Sequence, residues 1–261
     1  MSAILEEYFS ERLRKLFQSL ETFKEKSDED SLHDVRVEVK KLKSMRLFLK
    51  QVYPDKTVRR KKLRKLFSEA GMIRVFQLNL SWLKKNKFHL LIEKGFHEDE
   101  LRNQIHQFQS KISQAEKDLQ KDFDEWKELI EKTDIKIISN FCLSLLNELK
   151  TLLCNSDNNE VWHELRKEVK RFLHVQNWNE PFSSKDFLVS LDKLQELLGN
   201  WHDLVVINET LLSKQLYLSE NKLLKAENAK AVKKIANAST HLERKIKALL
   251  EEVNSLLQKV N

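Results

Sequence analysis

The chain has 261 residues, 33% of them charged, a net charge of +7, and only three Gly and two Pro. Few breakers beside abundant Leu, Lys and Glu point to long helices and argue against a strand-rich fold. No apolar run reaches the roughly 20 residues needed to cross a bilayer, so no membrane partner is expected. The acidic start Met1-Ser2-Ala3-Ile4-Leu5-Glu6-Glu7 lacks the basic and apolar segments of a signal peptide. Cys142 and Cys154 have no CxxC spacing, which fits reduced thiols and a cytoplasmic location.

Apolar spacing predicts a first helix over 2–25. The stretch Ser27-Asp28-Glu29-Asp30-Ser31 breaks it, and Ser31 is the expected N-cap of the next helix, with Asp34 three residues on. That helix runs to about Val52, where Tyr53-Pro54-Asp55 turns the chain. A third helix is expected over 56–87, a break near Gly95, and a long helix to about Lys132 whose spine includes Leu101, Ile105, Phe108, Ile112, Leu119 and Phe123. The second half repeats the plan. A helix over 134–154 is followed by the loop Asn155-Ser156-Asp157-Asn158-Asn159 and a helix to about Val175. A turn at Asn177-Trp178-Asn179-Glu180-Pro181 precedes a helix capped by Ser183 or Ser184 and ending near Leu218, and Ser219 caps a last long helix.

One stretch occurs twice. Leu32-His33-Asp34-Val35-Arg36-Val37-Glu38-Val39-Lys40-Lys41-Leu42-Lys43 is matched by Trp162-His163-Glu164-Leu165-Arg166-Lys167-Glu168-Val169-Lys170-Arg171-Phe172. A further match aligns Leu63–Arg74 with Leu191–His202 and pairs Lys65 with Lys193, Gly71 with Gly199 and Arg74 with His202. A helical Gly costs about 1 kcal/mol relative to Ala, so paired glycines suggest close approach of another helix or a ligand, or else simple C-caps. The duplication divides the chain into 1–132 and 133–261, each with four helices in the same order. No Pro/Gly/Ser-rich linker separates them.

At about 100° per residue, Leu32, Val35, Val39 and Leu42 share a core-facing side, and His33, Arg36, Lys40 and Lys43 form an adjacent stripe without acids. His163, Arg166 and Lys170 do the same in the second copy. Between His33 and Lys65 there are thirteen Lys/Arg against three acids, so this window carries +10 and the remaining residues carry −3. Charge concentrated in this way implies a polyanionic partner. Phosphate oxygens require charge-assisted N–H donors: Arg offers a planar fork, Lys a point charge, and His a donor that gains charge as pH falls.

The motifs HxxRxxxKKLK and HxxRxxxKR, followed by Gly71-x-x-Arg74 and Gly199-x-x-His202-Asp203, resemble the CHAD domain, the conserved histidine α-helical domain, over nearly the whole chain. The resemblance implies an all-α fold of two four-helix bundles related by pseudo-twofold symmetry around a basic central channel. It also implies non-enzymatic binding of inorganic polyphosphate, often at polyphosphate granules. The residues so assigned are His33, Arg36, Lys40, Lys43, Lys65, Arg74, His163, Arg166, Lys170, Arg171 and His202. Two positions depart from the pattern: Val75 stands where an acid usually follows the first GxxR, and Leu173 stands where a basic residue would match Lys43.

Other chemistries have weaker support. No HExxH motif or Cys/His cluster accompanies the histidines, so no metal is expected. No GxxxxGK[ST] loop, local Ser/His/Asp arrangement or ExExK motif is present, and neither a cofactor nor a catalytic residue is expected. The alternative is a helical RNA- or DNA-binding protein using the unrepeated cluster from Arg59 to Lys65. It is less favoured because the sequence has no groove-reading motif or aromatic RNA platform. The five Trp, at 82, 126, 162, 178 and 201, are expected in the core.

Overall fold

Asp28, not Ser31, starts the cationic helix. Its backbone is extended, and its carboxylate accepts the Ser31 N–H at 2.7 Å, satisfying an amide with no partner inside the helix. Helix α2 therefore spans Glu29–Val52, with Ser31 buried in its first turn. Helix α1, Ala3–Lys26, ends where Ser27 takes a left-handed φ of 56°.

The computed structural model describes residues 3–156, 159–178, 184–218 and 221–257. Among these the regular elements are helices, and no strand occurs. After α2 come α3 (Lys61–Lys85), α4 (His89–Gly95), α5 (Glu98–Glu131), α6 (Ile135–Cys154), α7 (Trp162–Val175), α8 (Lys185–Leu218) and α9 (Lys222–Leu257). Helix α4 was not expected from the sequence. Lys87, at φ 62°, creates the break before it without a Gly or Pro to signal one. Helix α3 starts at Lys61 rather than at 56, so Arg59 and Arg60 precede it. Ser184 caps α8, accepting the Phe187 N–H at 3.3 Å. The caps expected at Ser183 and Ser219, the turn at Pro181 and the loop positions Asp157 and Asn158 lie outside the described residues.

The chain packs as two compact units, and these are not the two sequence halves. The first comprises Met1–Arg74, Asn103–Glu148 and Arg171–Phe182; the second comprises Val75–Arg102, Leu149–Lys170 and Ser183–Asn261. Helices α3, α5, α6 and α7 each give one segment to one unit and the rest to the other.

In the first unit α1 packs along α2. Phe9 lies edge-on to Phe123 and stacks with Trp126, while Trp178 stacks on Phe141 and meets Phe48 edge-on at 5.5 Å. Such ring pairs add about 0.5–1.5 kcal/mol beyond area burial. Leu32, Val35, Val39, Leu42 and Leu49 are fully buried, which fixes the outward face of α2. A buried ion pair joins the helices, Arg12 Nη1 to Glu38 Oε1 at 3.2 Å, and Lys41 Nζ also reaches that oxygen at 2.8 Å.

In the second unit α8 packs along α9, and α4 also contacts α9. Phe76, Leu80, Leu83, Phe96, Ile207, Leu211 and Ile235 belong to one apolar cluster. Trp162 meets Trp201 edge-on at 5.4 Å. Trp126, Trp162, Trp178 and Trp201 are buried; Trp82 is half-buried and stacks on Phe88.

The structure corrects one expectation from the sequence. Helix α6 is, by length and composition alone, long and apolar enough to cross a membrane. Isolated polar residues such as Ser139, Asn140 and Ser144 interrupt its apolar run in the sequence. In the fold it buries Ile138, Phe141, Cys142, Leu145, Leu146, Leu149 and Leu153. Burial pushes the Cys142 thiol up to about 12, whereas the Cys154 thiol is exposed and both are free.

Candidate anion-binding site

The α2 stripe begins with His33, which is exposed, and continues through Arg36, Lys40 and Lys43, which are half-buried beside the apolar face. Arg36 and Lys43, two turns apart, meet on one aromatic ring of α3. The Arg36 guanidinium carbon is 4.4 Å from the Phe67 ring centroid, and Lys43 Nζ is 3.4 Å from it. A cation over an aromatic face gains about 0.5–2 kcal/mol. Arg36 Nη1 also donates to the Phe67 carbonyl at 3.1 Å.

Gly71 permits this placement. It lies inside α3 without a positive φ, so it is not a C-cap. It is also one turn beyond Phe67, where a side chain would screen that carbonyl. A Cβ there would stand 2.8 Å from Arg36 Nη1. The close approach suggested by the paired glycines is therefore found at Gly71, and the approaching group is a side chain of the stripe. At Gly199 nothing lies within 4 Å of an added Cβ.

The charges on this wall are mutually unfavourable. Burial, then the neighbouring Arg36 and Arg64, lower the Lys43 ammonium to about 8. Arg46, which the stripe did not include, is likewise pushed down by burial and then by Arg60. Arg46 lies three residues after Lys43 and continues the cationic spacing, so the signal was present in the sequence.

The cluster from Arg59 to Lys65 does not act as one surface. Arg59 pairs with Glu125 at 2.9 Å and approaches Asp122 at 3.9 Å. Lys62 donates to the Asp118 carbonyl at 3.0 Å and lies 3.8 Å from the Asp122 carboxylate. These acids of α5 neutralise that part of the cluster, while Arg60 and Arg64 line a cavity with Lys43, Arg46 and Leu47 of α2. Lys65 is exposed. Arg74 is drawn aside to Glu29, with Nη1 3.1 Å from Oε2.

In the second unit, His163 of α7 is exposed, and Arg166 and Lys170 are half-buried. The His163 ring centroid is 5.0 Å from that of His202 on α8, at an interplanar angle of 52°. Burial pushes the Arg166 guanidinium down, with Asp203 opposing. Among the described residues Arg166 Nε has no hydrogen-bond partner. Arg171 belongs to the first unit, where its Nη1 stands 4.0 Å from Glu148. The structure thus brings Arg36 together with Lys43, and His163 together with His202. It directs Arg74 to Glu29 and Arg171 toward Glu148.

The two copies are chemically unequal. By the same offset that pairs Gly71 with Gly199, Phe67 corresponds to Gln195, and Lys43 corresponds to Leu173. The aromatic shelf with two cations is therefore a feature of the first copy alone.

These features define an all-helical protein with two copies of a cationic helix, each at the edge of an apolar core. The family model described as the CHAD domain matches residues 7–212, and the chain belongs to the CHAD domain family. Among solved structures, the crystal structure of the CHAD domain from the plant Ricinus communis is similar. It is 19% identical, with a TM-score of 0.79 over 96% of this chain and 91% of that one. That likeness concerns the fold. No curated protein matches the chain.

Proposed function

We propose that this CHAD protein binds inorganic polyphosphate without transforming it, through a basic channel to which both cationic helices contribute. In this reading the helices belong to two bundles related by pseudo-twofold symmetry, and the protein works in the cytoplasm, at polyphosphate granules. The observation that carries it is the Arg36–Phe67–Lys43 arrangement, in which cations are held beside the core with a glycine making room for one of them. Holding like charges this close is unfavourable in the empty protein, and a polyanion relieves it. A phosphate chain suits such a wall because each residue of the chain repeats one charged tetrahedron.

Nucleic acid is the competing ligand. The neutralisation of Arg59 and Lys62 by α5 acids weighs against it. The test is displacement of labelled polyphosphate by long polyphosphate, by duplex or single-stranded nucleic acid, and by nucleoside triphosphate, repeated on two double variants. Arg36→Ala with Arg166→Ala should lose most of the affinity, since each charge-assisted bond is worth about 1.5–3 kcal/mol. Arg59→Ala with Lys62→Ala should change it little. Comparable losses in the two variants, or more efficient displacement by nucleic acid, would overturn the assignment.

A further inference from the structure

Beside the repeated stripe the first unit holds a cavity of about 230 Å³ lined by Lys43, Arg46, Leu47, Arg60, Leu63 and Arg64. Four of its six lining residues are cations and none is an acid. We propose that this cavity is a pocket for a diphosphate group, the terminal two phosphates of a phosphate chain or of a nucleoside diphosphate.

Five observations lead there. Ligand pockets commonly span about 300–1,000 Å³, so this one fits a compact anion rather than a whole nucleotide. Its cations are drawn from α2, from Arg60 just before α3 and from the first turn of α3, so their charges converge on one space. Acids were within reach of this cluster, since Arg59 and Lys62 use those of α5, yet Arg60 and Arg64 face other cations. Among the described residues Arg46 Nε has no hydrogen-bond partner. Leu63, which is buried, and Leu47 give the cavity an apolar wall. The pocket stays open to water, with Leu47 40% exposed and Arg60 and Arg64 exposed, so salt should weaken anion binding there.

The duplication separates this pocket from the stripe. By the offsets of the two repeats, Lys43, Arg46, Arg60 and Arg64 correspond to Leu173, Gln176, Leu188 and Asp192. None of these is basic, so the pocket exists once per chain. An internal phosphate of a chain carries one negative charge, whereas a terminal phosphate approaches two above a pKa of about 6. The densest cationic site therefore selects an end. If a phosphate chain lies along the two stripes, as proposed above, the pocket would give it a direction.

The experiment is titration calorimetry of the full chain with pyrophosphate and with ADP, alongside affinity for long polyphosphate. Pyrophosphate should bind once per chain. Arg60→Gln with Arg64→Gln should weaken it at least tenfold, and Arg59→Gln with Lys62→Gln, whose charges are held by α5 acids, should leave it unchanged. At pH 8 the heat should depend on the ionisation enthalpy of the buffer, because a bound anion draws a proton onto Lys43. Equal affinity for ADP would assign the pocket to any diphosphate; binding of pyrophosphate alone would assign it to inorganic chain ends. Arg60→Lys with Arg64→Lys keeps the charge and removes the forks, and covers the case of a misfolded Gln variant. No pyrophosphate binding, or equal loss in both Gln variants, would overturn the pocket. Loss of long-chain binding alone, with pyrophosphate binding intact, would instead overturn the function proposed above.

Discussion

Arg36 Nη1 occupies the space beside Gly71 so closely that a methyl group on that glycine would stand 2.8 Å away. The neighbour is the flexible end of a side chain, so Gly71→Ala should fold, gaining up to about 1 kcal/mol of helix propensity and spending part of it on moving the guanidinium. Displacing Arg36 from Phe67 should weaken polyphosphate binding several-fold. Gly199→Ala has open space around it, so it should raise the melting temperature by about 2–4 °C with affinity unchanged. Thermal melts and affinities of the two variants check this; equal affinities would remove Arg36 from the contact.

Lys43 predicts a pH dependence on the alkaline side. Its ammonium is lowered from 10.5 to about 8 in the fold, mainly by burial. Below pH 8 the folded protein carries the full cost of the charge. Between about 8 and 10.5 the unfolded chain binds the extra proton, so Lys43 makes stability rise with pH in that window. Lys43→Met should therefore be more stable than the parent at pH 7, with the advantage shrinking toward pH 10. The Phe67 face offsets part of the effect. Ligand affinity should move the other way, falling as pH rises through about 8, and Lys43→Arg should flatten that fall because Arg stays protonated. Affinity measured from pH 7 to 9 in both proteins decides it.

Glu29 competes with any anion for Arg74, at 3.1 Å on the exposed side of the wall. Exposed pairs contribute about 0–1 kcal/mol, so Glu29→Ala should barely alter the melt. It should increase polyphosphate affinity by freeing Arg74 and removing a negative charge. An unchanged or lower affinity would place Arg74 outside the ligand's reach.

Glu38 is repeated as Glu168 but has a different task from the cations around it. It is 5% exposed, and its carboxylate binds Arg12 and Lys41 between α1 and α2. Glu38→Gln leaves the buried Arg12 with the more exposed Glu11 as its remaining carboxylate partner, so it should cost less than the roughly 3–5 kcal/mol of a buried charge left unpaired, read by chemical denaturation. A loss of the full size would mean that Glu11 does not hold the Arg12 charge once Glu38 is neutral.

The sequence carried the helical class and the stripe because both depend on local spacing. Val35, Val39 and Leu42 had to be buried, and this fixed where Arg36 and Lys43 could point. It did not carry the Phe67 shelf, which depends on the register of α3 against α2. Nor did it separate Arg60 and Arg64 from Arg59 and Lys62, since neighbours in a basic run look alike until the α5 acids are placed. Helix α4 escaped notice because Lys87 takes the left-handed turn that a Gly would have announced. Asp28 and Ser31 are equally good caps by residue type, and only the extended backbone at Asp28 decides between them.

The four helices that divide their length between the compact units bear on how such a gene could have arisen and how it can be cut. A tandem copy whose products fold separately can later be lost, shuffled or fused elsewhere as a module. Here each unit draws segments from both copies, so a chain ending near residue 132 would lack residues 133–148 and 171–182 of the first unit and most of the second. Once folded in this way, the duplicate cannot be discarded. Its second copy can differ in charge, as Leu173 differs from Lys43, but it is not free to leave.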